Sequence, residues 1–347
     1  MQEFAVQTSR LRQWVRQHGE GTAVLFIHGN ASDSVYWEEV MLALPEGYRA
    51  IAPDLRGYGQ TEDVLIDATR GVMDWVDDLL ALLKELNVDR YHVVGHSLGG
   101  AVIWGLLAAD APRILSVTLA APGSPFGFGG TRDAEGNPTT PDFAGSGGGT
   151  VNPDFPARIA RQDTSDEGGS PRDIMNRFYW KPPFRAARED ALLEGLLREK
   201  TGPDRYPGDF VASENWPGMA PGIHGPINAI SAKYVGDTVQ RLLAQTHKPP
   251  VLWIRGDSDQ IVSDQSLFEL GTLGLLGAVP GYPGQDAYPP QPMVSQTRHV
   301  LEAYGPFKEV VFQDVGHTPY IEKPDEFMAE FVAHLKSTQL ETSPAQS

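Results

Sequence analysis

The chain predicts an α/β fold with a mostly parallel central sheet, helices on both faces and an inserted cap. Three observations carry that expectation. Short apolar runs alternate with an amphipathic helical period, one run turns sharply through Gly95-His96-Ser97-Leu98-Gly99 into a helix, and the alternation lapses between about residues 123 and 247 before it resumes. Repeated strand and helix units favour a parallel sheet covered on both sides.

In chain order, Phe4-Ala5-Val6-Gln7-Thr8 and Leu11-Arg12-Gln13-Trp14-Val15 flank a short Ser9-Arg10 turn and read as a hairpin that opens the sheet. Ala23-Val24-Leu25-Phe26-Ile27 is apolar throughout, as a strand buried on both faces must be, and it ends at His28-Gly29-Asn30. Arg49 to Pro53 is a shorter run that ends at Asp54-Leu55-Arg56-Gly57-Tyr58-Gly59. Between Gly71 and Val88 apolar residues fall at a helical period (Val72, Trp75, Val76, Leu79, Leu80, Leu83, Leu86), with Asp74, Asp77, Asp78 and Lys84 outside it. The elbow strand Tyr91-His92-Val93-Val94 and its helix follow, then strands at Ile114 to Leu119, Val251 to Ile254 and Glu309 to Phe312.

The expected core is therefore residues 1–122 and 248–336. Residues 123–247, rich in Pro, Gly, Asp and aromatics, form an insertion expected to be ordered irregular loops with short helices at Arg172 to Phe178 and Glu189 to Lys200. An insertion after the strand beyond the elbow sits over the carboxyl ends of the strands, where α/β folds bind ligands, and so reads as a lid. Residues 271–292, almost all Gly, Pro, Leu and Tyr, read as a long loop inserted in the core, and 337–347 as a flexible tail.

Composition narrows the partners. The net charge is −17, from 28 basic and 45 acidic residues, and no Lys/Arg cluster offsets it, which disfavours nucleic acid and anionic membranes. Without cysteine there is no disulfide, thiolate nucleophile or Cys-based metal site. The N-terminus lacks a basic segment followed by an apolar stretch, and no run of about 18 apolar residues occurs, so a cytoplasmic protein is expected.

The elbow carries the chemistry. A serine between strand and helix must adopt a strained backbone, and Gly95 and Gly99 give the two elements room to approach. The turn exposes the Ser97 hydroxyl and aims the first helical N–H groups at the same place, where negative charge on a substrate oxygen is stabilised. A serine hydroxyl needs a base, and nine histidines compete. His317, in Asp314-Val315-Gly316-His317-Thr318-Pro319, follows the last strand and precedes a helix near Pro324, at the same sheet edge as Ser97. His18 falls in a turn, His92 in a strand and His334 in the final helix, while His224 and His299 lie in inserted segments and stay open on sequence alone. The carboxylate that holds the imidazole tautomer is expected in Arg255-Gly256-Asp257-Ser258-Asp259, with Asp259 as the acid and Asp257 as a turn cap.

The joint order of His28-Gly29-Asn30, Asp54-x-Arg56-Gly57-x-Gly59, Gly95-His96-Ser97-Leu98-Gly99-Gly100, Gly256-x-x-Asp259 and Gly316-His317 resembles the α/β-hydrolase family with an inserted cap, over residues 4 to 121 and 248 to 335. The resemblance implies Ser97 as nucleophile, Asp259 as acid and His317 as base, with an oxyanion hole from the backbone N–H groups of Leu98 and Asn30. Asp54 and Arg56 read as structural, tying their loop to the nucleophile's surroundings. Trp37, His96 and unnamed cap residues are expected to line the substrate site. His28-Gly29-Asn30 with Trp37 is also similar to haloalkane dehalogenases, but those use an aspartate nucleophile. A serine would give a stable ether, and epoxide hydrolysis fails on the same ground.

The expected function is a serine hydrolase that cleaves an ester, or similar acyl bond, of a partly hydrophobic small molecule, with no metal or organic cofactor. Carbon–carbon bond hydrolysis or lactone opening on the same triad is the alternative within the fold. A ligand receptor that retains the triad without turnover is the alternative outside it.

Overall fold

A computed structural model describes residues 1–340. Among the described residues there are ten strands: β1 Gln2–Gln7, β2 Arg12–His18, β3 Gly21–Ile27, β4 Gly47–Pro53, β5 Tyr91–His96, β6 Ile114–Ala120, β7 Phe210–Ala212, β8 Met219–Pro221, β9 Val251–Gly256 and β10 Phe307–Phe312. Eight of them form one sheet in the order β1-β2-β4-β3-β5-β6-β9-β10. The first two pairings, β1 with β2 and β2 with β4, are antiparallel, and the rest are parallel. The opening hairpin and the parallel interior follow the sequence pattern.

The helices of the first half are α1 Glu38–Leu42, α2 Met73–Glu85 and α3 Leu98–Asp110. Between β6 and β9 come α4 Asp154–Ala160, α5 Pro171–Ile174, α6 Glu189–Leu197, α7 Pro226–Ala229 and α8 Thr238–Leu243. The last four are α9 Leu270–Leu275, α10 Met293–Tyr304, α11 Pro319–Glu322 and α12 Pro324–Leu340.

Both sheet faces are covered, because alternate residues of each strand point to opposite sides. Along β3, Ala23, Leu25 and Ile27 join a core with Trp75 and Leu79 of α2, Ile103 and Leu106 of α3 and Leu301 of α10. Val24 and Phe26 face the other way, onto Trp37, Val40 and Met41 near α1 and Phe327, Phe331 and Leu335 of α12. Each fully buried large side chain contributes roughly 1.5–3 kcal/mol, so the register that keeps both sets inside is strongly fixed.

The carboxyl ends of the parallel strands line up. Ile27 pairs with Gly95, His96 with Ala120, Ala120 with Ile254, and Gly256 with Phe312. The loops after β3, β5, β9 and β10 therefore leave one edge of the sheet together.

Several expectations change. Asp74 and Asp78 of α2 are buried, not on a solvated face, because three arginines meet them: Asp78 takes Arg56 in a two-pronged pair at 2.8 Å and Arg10 at 2.6 Å, and Asp74 takes Arg70. The 271–292 stretch opens with α9, not a loop, since the Glu269 carboxylate caps the N–H groups of Gly271 and Thr272 at 2.7 and 3.0 Å. The expected tail is helical as far as Leu340; residues 341–347 lie outside the described residues.

Within 123–247 the chain is ordered but sparse in regular structure. Side chains from the core stitch its first part: Gln291 accepts from Gly129 N–H and donates to Gly127 O, and Gln296 donates to Asp133 O. The helical pattern at 172–178 is α5, continued by a wider π-type turn over Met175–Tyr179. The ribbon β7–β8, absent from the sequence reading, is only three residues per strand.

Candidate active site

Ser97 follows the last residue of β5 and precedes α3 with φ 55° and ψ −117°. A residue with a side chain rarely adopts that backbone, and the strain of about 1–3 kcal/mol is held by its surroundings. Its main-chain oxygen accepts from Gly100, Ala101 and Gly123, and its N–H donates to Ala120 O at 3.2 Å. The glycines fit as expected: a methyl group on Gly95 would stand 2.6 Å from Gly99 O, and one on Gly99 2.3 Å from Ile27 O. Leu98 leads α3, so its N–H is among those that a helix leaves without an intrahelical acceptor.

The turn after β3 packs against this elbow. A methyl group on Gly29 would lie 3.2 Å from Ser97 Cβ. His28 holds the turn. Its Nε2 accepts from Leu55 N–H at 3.0 Å, so Nδ1 carries the proton and donates to Gly29 O at 2.8 Å. Burial lowers the His28 pKa to about 4, which keeps the ring neutral. Asn30 follows, with its side-chain oxygen accepting from Tyr58 Oη at 2.9 Å. Asp54 is the hub of the adjoining loop. It accepts from Ser34 N–H and Oγ and from Gln60 N–H, while its neighbour Arg56 pairs with Asp78 instead.

The two remaining loops meet over the elbow. His317 Nδ1 lies 2.8 Å from Asp259 Oδ2, with both side chains 3% exposed. The second Asp259 oxygen accepts from Ile261 and Val262 N–H at 2.8 and 3.0 Å, so the carboxylate is fixed in its turn. Asp257 is exposed and accepts from Asp314 N–H at 2.9 Å, linking the loop after β9 to the loop after β10. With Nδ1 donating to Asp259, His317 presents a lone pair on Nε2. Among the described residues no hydrogen bond joins Ser97 Oγ to that ring; what links them is His96. His96 Nε2 donates to His317 O at 2.9 Å, and the two rings lie 4.6 Å apart.

Trp37 and His96 are not at an open surface. Trp37 stacks on Tyr320 at 4.0 Å with no exposure, and Tyr320 meets His96 edge-on. His96 Nδ1 is buried without a partner, and burial drives the ring pKa well down. Two other histidines are engaged elsewhere: His92 with Ser116 Oγ and His334 with Val117 O. His18 ends β2, not a turn, and His299 lies on α10.

Sequence reasoning missed two acidic residues here. Glu322 Oε1 accepts from Gly316 N–H and Lys181 N–H at 2.9 and 2.8 Å. Glu199 is buried beside the Tyr58, Tyr179 and Tyr206 phenols with neither carboxyl oxygen partnered, and burial pushes its pKa well up. No motif marks Glu199; Glu322 stands five residues after His317, a spacing that closes one turn of chain on the loop. A cleft of about 450 Å³ between the 177–182 segment and the loop after β9 touches Asp259 but neither Ser97 nor His317. Among the described residues no group of three or more His, Asp or Glu side chains is placed to hold a metal ion.

A family model described as the alpha/beta hydrolase fold matches residues 22–273. The chain belongs to the alpha/beta hydrolase fold family. Among curated relatives of this hydrolase, "Epoxide hydrolase 2" of Siraitia grosvenorii is 36% identical over 105 residues, which is 30% of this chain and 33% of that protein. The dihydrolipoyllysine-residue acetyltransferase component of the acetoin cleaving system of Cupriavidus necator is 39% identical over 118 residues, 34% of this chain and 30% of that protein. These matches span about a third of the relatives' length. Among solved structures, a thermophilic esterase from Thermogutta terrifontis superposes with a TM-score of 0.60 at 17% identity, covering 97% of this chain and 99% of that one. The enol-lactonase from Burkholderia xenovorans gives 0.58 at 18%, covering 96% and 99%. The hydrolase shares their fold. No helix among its described residues is long and apolar enough to cross a membrane.

Proposed function

We propose that this alpha/beta hydrolase is a serine hydrolase that cleaves a carboxylic ester, or similar acyl bond, of a partly hydrophobic small molecule. The reading rests above all on the buried His317–Asp259 pair at 2.8 Å, beside an elbow that carries serine with its backbone in the strained conformation. Ser97 Oγ attacks the acyl carbon as its proton passes to His317 Nε2. Asp259 holds the tautomer and stabilises the imidazolium. Negative charge on the tetrahedral oxygen is met by the N–H groups of Leu98 and Asn30. Collapse expels the alcohol, which takes the proton from His317, and water repeats the sequence to release the acid. In this reading residues 123–247 form the cap, whose apolar and aromatic content favours a partly hydrophobic substrate.

Epoxide opening, named for curated relatives, fits the serine poorly. A hydroxyl nucleophile would be left joined to the opened epoxide by an ether, which has no acyl carbon for water to attack. The test is release of p-nitrophenol from short and medium acyl esters at pH 7 to 8 by the wild type and Ser97→Ala. Turnover lost in Ser97→Ala supports the acyl-enzyme reading. A folded wild type inert to all the esters would overturn it.

A further inference from the structure

The loop that carries His317 touches the 123–247 insertion along one short strap, Tyr179 to Lys181. At its centre main chain lies against main chain. A methyl group on Gly316 would stand 2.7 Å from both the Lys181 nitrogen and the Trp180 carbonyl carbon, so strap and loop lie flat on one another. Thr318 Oγ1 donates to Tyr179 O at 2.8 Å on the far side of His317. Two N–H groups are left facing inward, those of Gly316 and Lys181, and the Glu322 carboxylate accepts both, with Gly316 shared between its oxygens at 2.9 and 3.0 Å. On the other side of His317, Thr318 O accepts from the Glu322 main-chain N–H at 3.1 Å.

We propose that Glu322 is a positioning residue, which fixes the His317 ring by clamping the main chain immediately before it to the strap of the insertion. This rests on the reading of His317 as the base. Each N–H bond to a carboxylate is among the stronger hydrogen bonds in a protein. The two that converge on this carboxylate leave Gly316 little freedom, and His317 is the next residue along the chain. The insertion and the base therefore move as one body. The His317–Asp259 bond alone fixes one ring nitrogen; the clamp fixes the peptide from which the ring hangs. A displacement of about 1 Å at a reacting group costs on the order of 10²-fold in rate.

The experiment uses the full chain and compares wild type, Glu322→Ala, Glu322→Gln and, as a control, Asp314→Asn, which removes only the surface ion pair with the Lys181 ammonium. Three readouts are taken well below each variant's Tm: kcat and KM on p-nitrophenyl butyrate, the rate of Ser97 labelling by a fluorophosphonate, and the low-field NMR signal of the His317 Nδ1 proton. The expected result is a kcat loss of about 10²-fold in Glu322→Ala with KM little changed, labelling slowed in parallel, and the Nδ1 signal broadened or lost. Glu322→Gln, which keeps an acceptor oxygen, is expected between it and wild type and carries the test if Glu322→Ala does not fold. Asp314→Asn should match wild type. A folded Glu322→Ala with wild-type kcat, labelling rate and Nδ1 signal overturns the clamp. If the wild type is neither active nor labelled, the serine reading fails instead, and the Nδ1 signal alone then decides whether Glu322 holds the histidine.

Discussion

His96 Nε2 stands 2.9 Å from the main-chain oxygen of His317, so the residue before the elbow serine also carries the loop of the candidate base. The bond crosses from the end of β5 to the loop after β10, with β6 and β9 lying between. His96→Phe keeps the ring volume and removes the donor, leaving a buried carbonyl unpaired. The expected cost is about 1–3 kcal/mol in urea unfolding, with kcat reduced tenfold or more and KM little affected. Wild-type kcat in the folded variant would mean that the loop is placed without this bond.

Replacing Ser97 separates chemistry from strain. Ser97→Ala and Ser97→Gly should both abolish ester turnover, but glycine adopts φ 55° without a steric penalty. Ser97→Gly is therefore expected to be more stable than Ser97→Ala by about 1 kcal/mol, the strain relieved less the extra entropy of the unfolded chain. Equal or reversed unfolding midpoints would show that the elbow stores no such strain.

The Arg56–Asp78 pair is buried and two-pronged. Arg56→Ala leaves Asp78 with only Arg10, and the expected loss is about 3–5 kcal/mol. Chemical denaturation of Arg56→Ala beside Arg56→Ala/Asp78→Leu checks it. The double variant should recover part of the loss, because no charge is then stranded.

Two buried histidines should make stability fall with acid before the ordinary carboxylates titrate. His28 and His92 have folded pKa values of about 4, lowered chiefly by burial, against an ordinary value of 6.5. Below 6.5 the unfolded chain takes up protons that the folded chain refuses, so stability falls as pH drops. Each should contribute roughly 2 kcal/mol of loss between pH 7 and pH 5. Urea unfolding across that range tests the slope, and His92→Gln should flatten it; a slope unchanged by the substitution would count against a neutral His92.

Glu199 has the opposite sign. Burial pushes its carboxyl pKa well up, so above the ordinary carboxylate value the unfolded chain releases a proton more readily than the folded chain, and stability is lost as pH rises. Glu199→Gln, neutral at every pH, should gain in Tm over wild type as the pH rises above the ordinary carboxylate value of 4.5 and match it below. A difference that does not vary with pH would mean that Glu199 is ionised in the fold.

The strands, the elbow and the candidate acid and base were legible because each depends on local pattern: an apolar run, a glycine at a close approach, a carboxylate or histidine just past a strand end. What escaped the sequence depends on distant partners. Asp78 looks solvated until Arg56 and Arg10 arrive from the loops after β4 and β1. The α9 helix, weak in propensity with three glycines nearby, exists because Glu269 caps it and Gly274 receives the Tyr282 ring. Trp37 and His96 were expected at the substrate site on their nearness to the motifs, yet both are enclosed, one by Tyr320 and the other by the His317 loop.

The flat contact at Gly316 has a bearing on how new specificities are built on this scaffold. At Gly316 no side chain separates the two backbones, so any larger residue there would force strap and loop apart. A foreign insertion grafted between β6 and β9 would need a strap of matching path, with an N–H at the place of Lys181, or the histidine would be set adrift together with the graft. Diversification therefore has a fixed seam at 179–181, and the stretches on either side of it are where variation is cheapest.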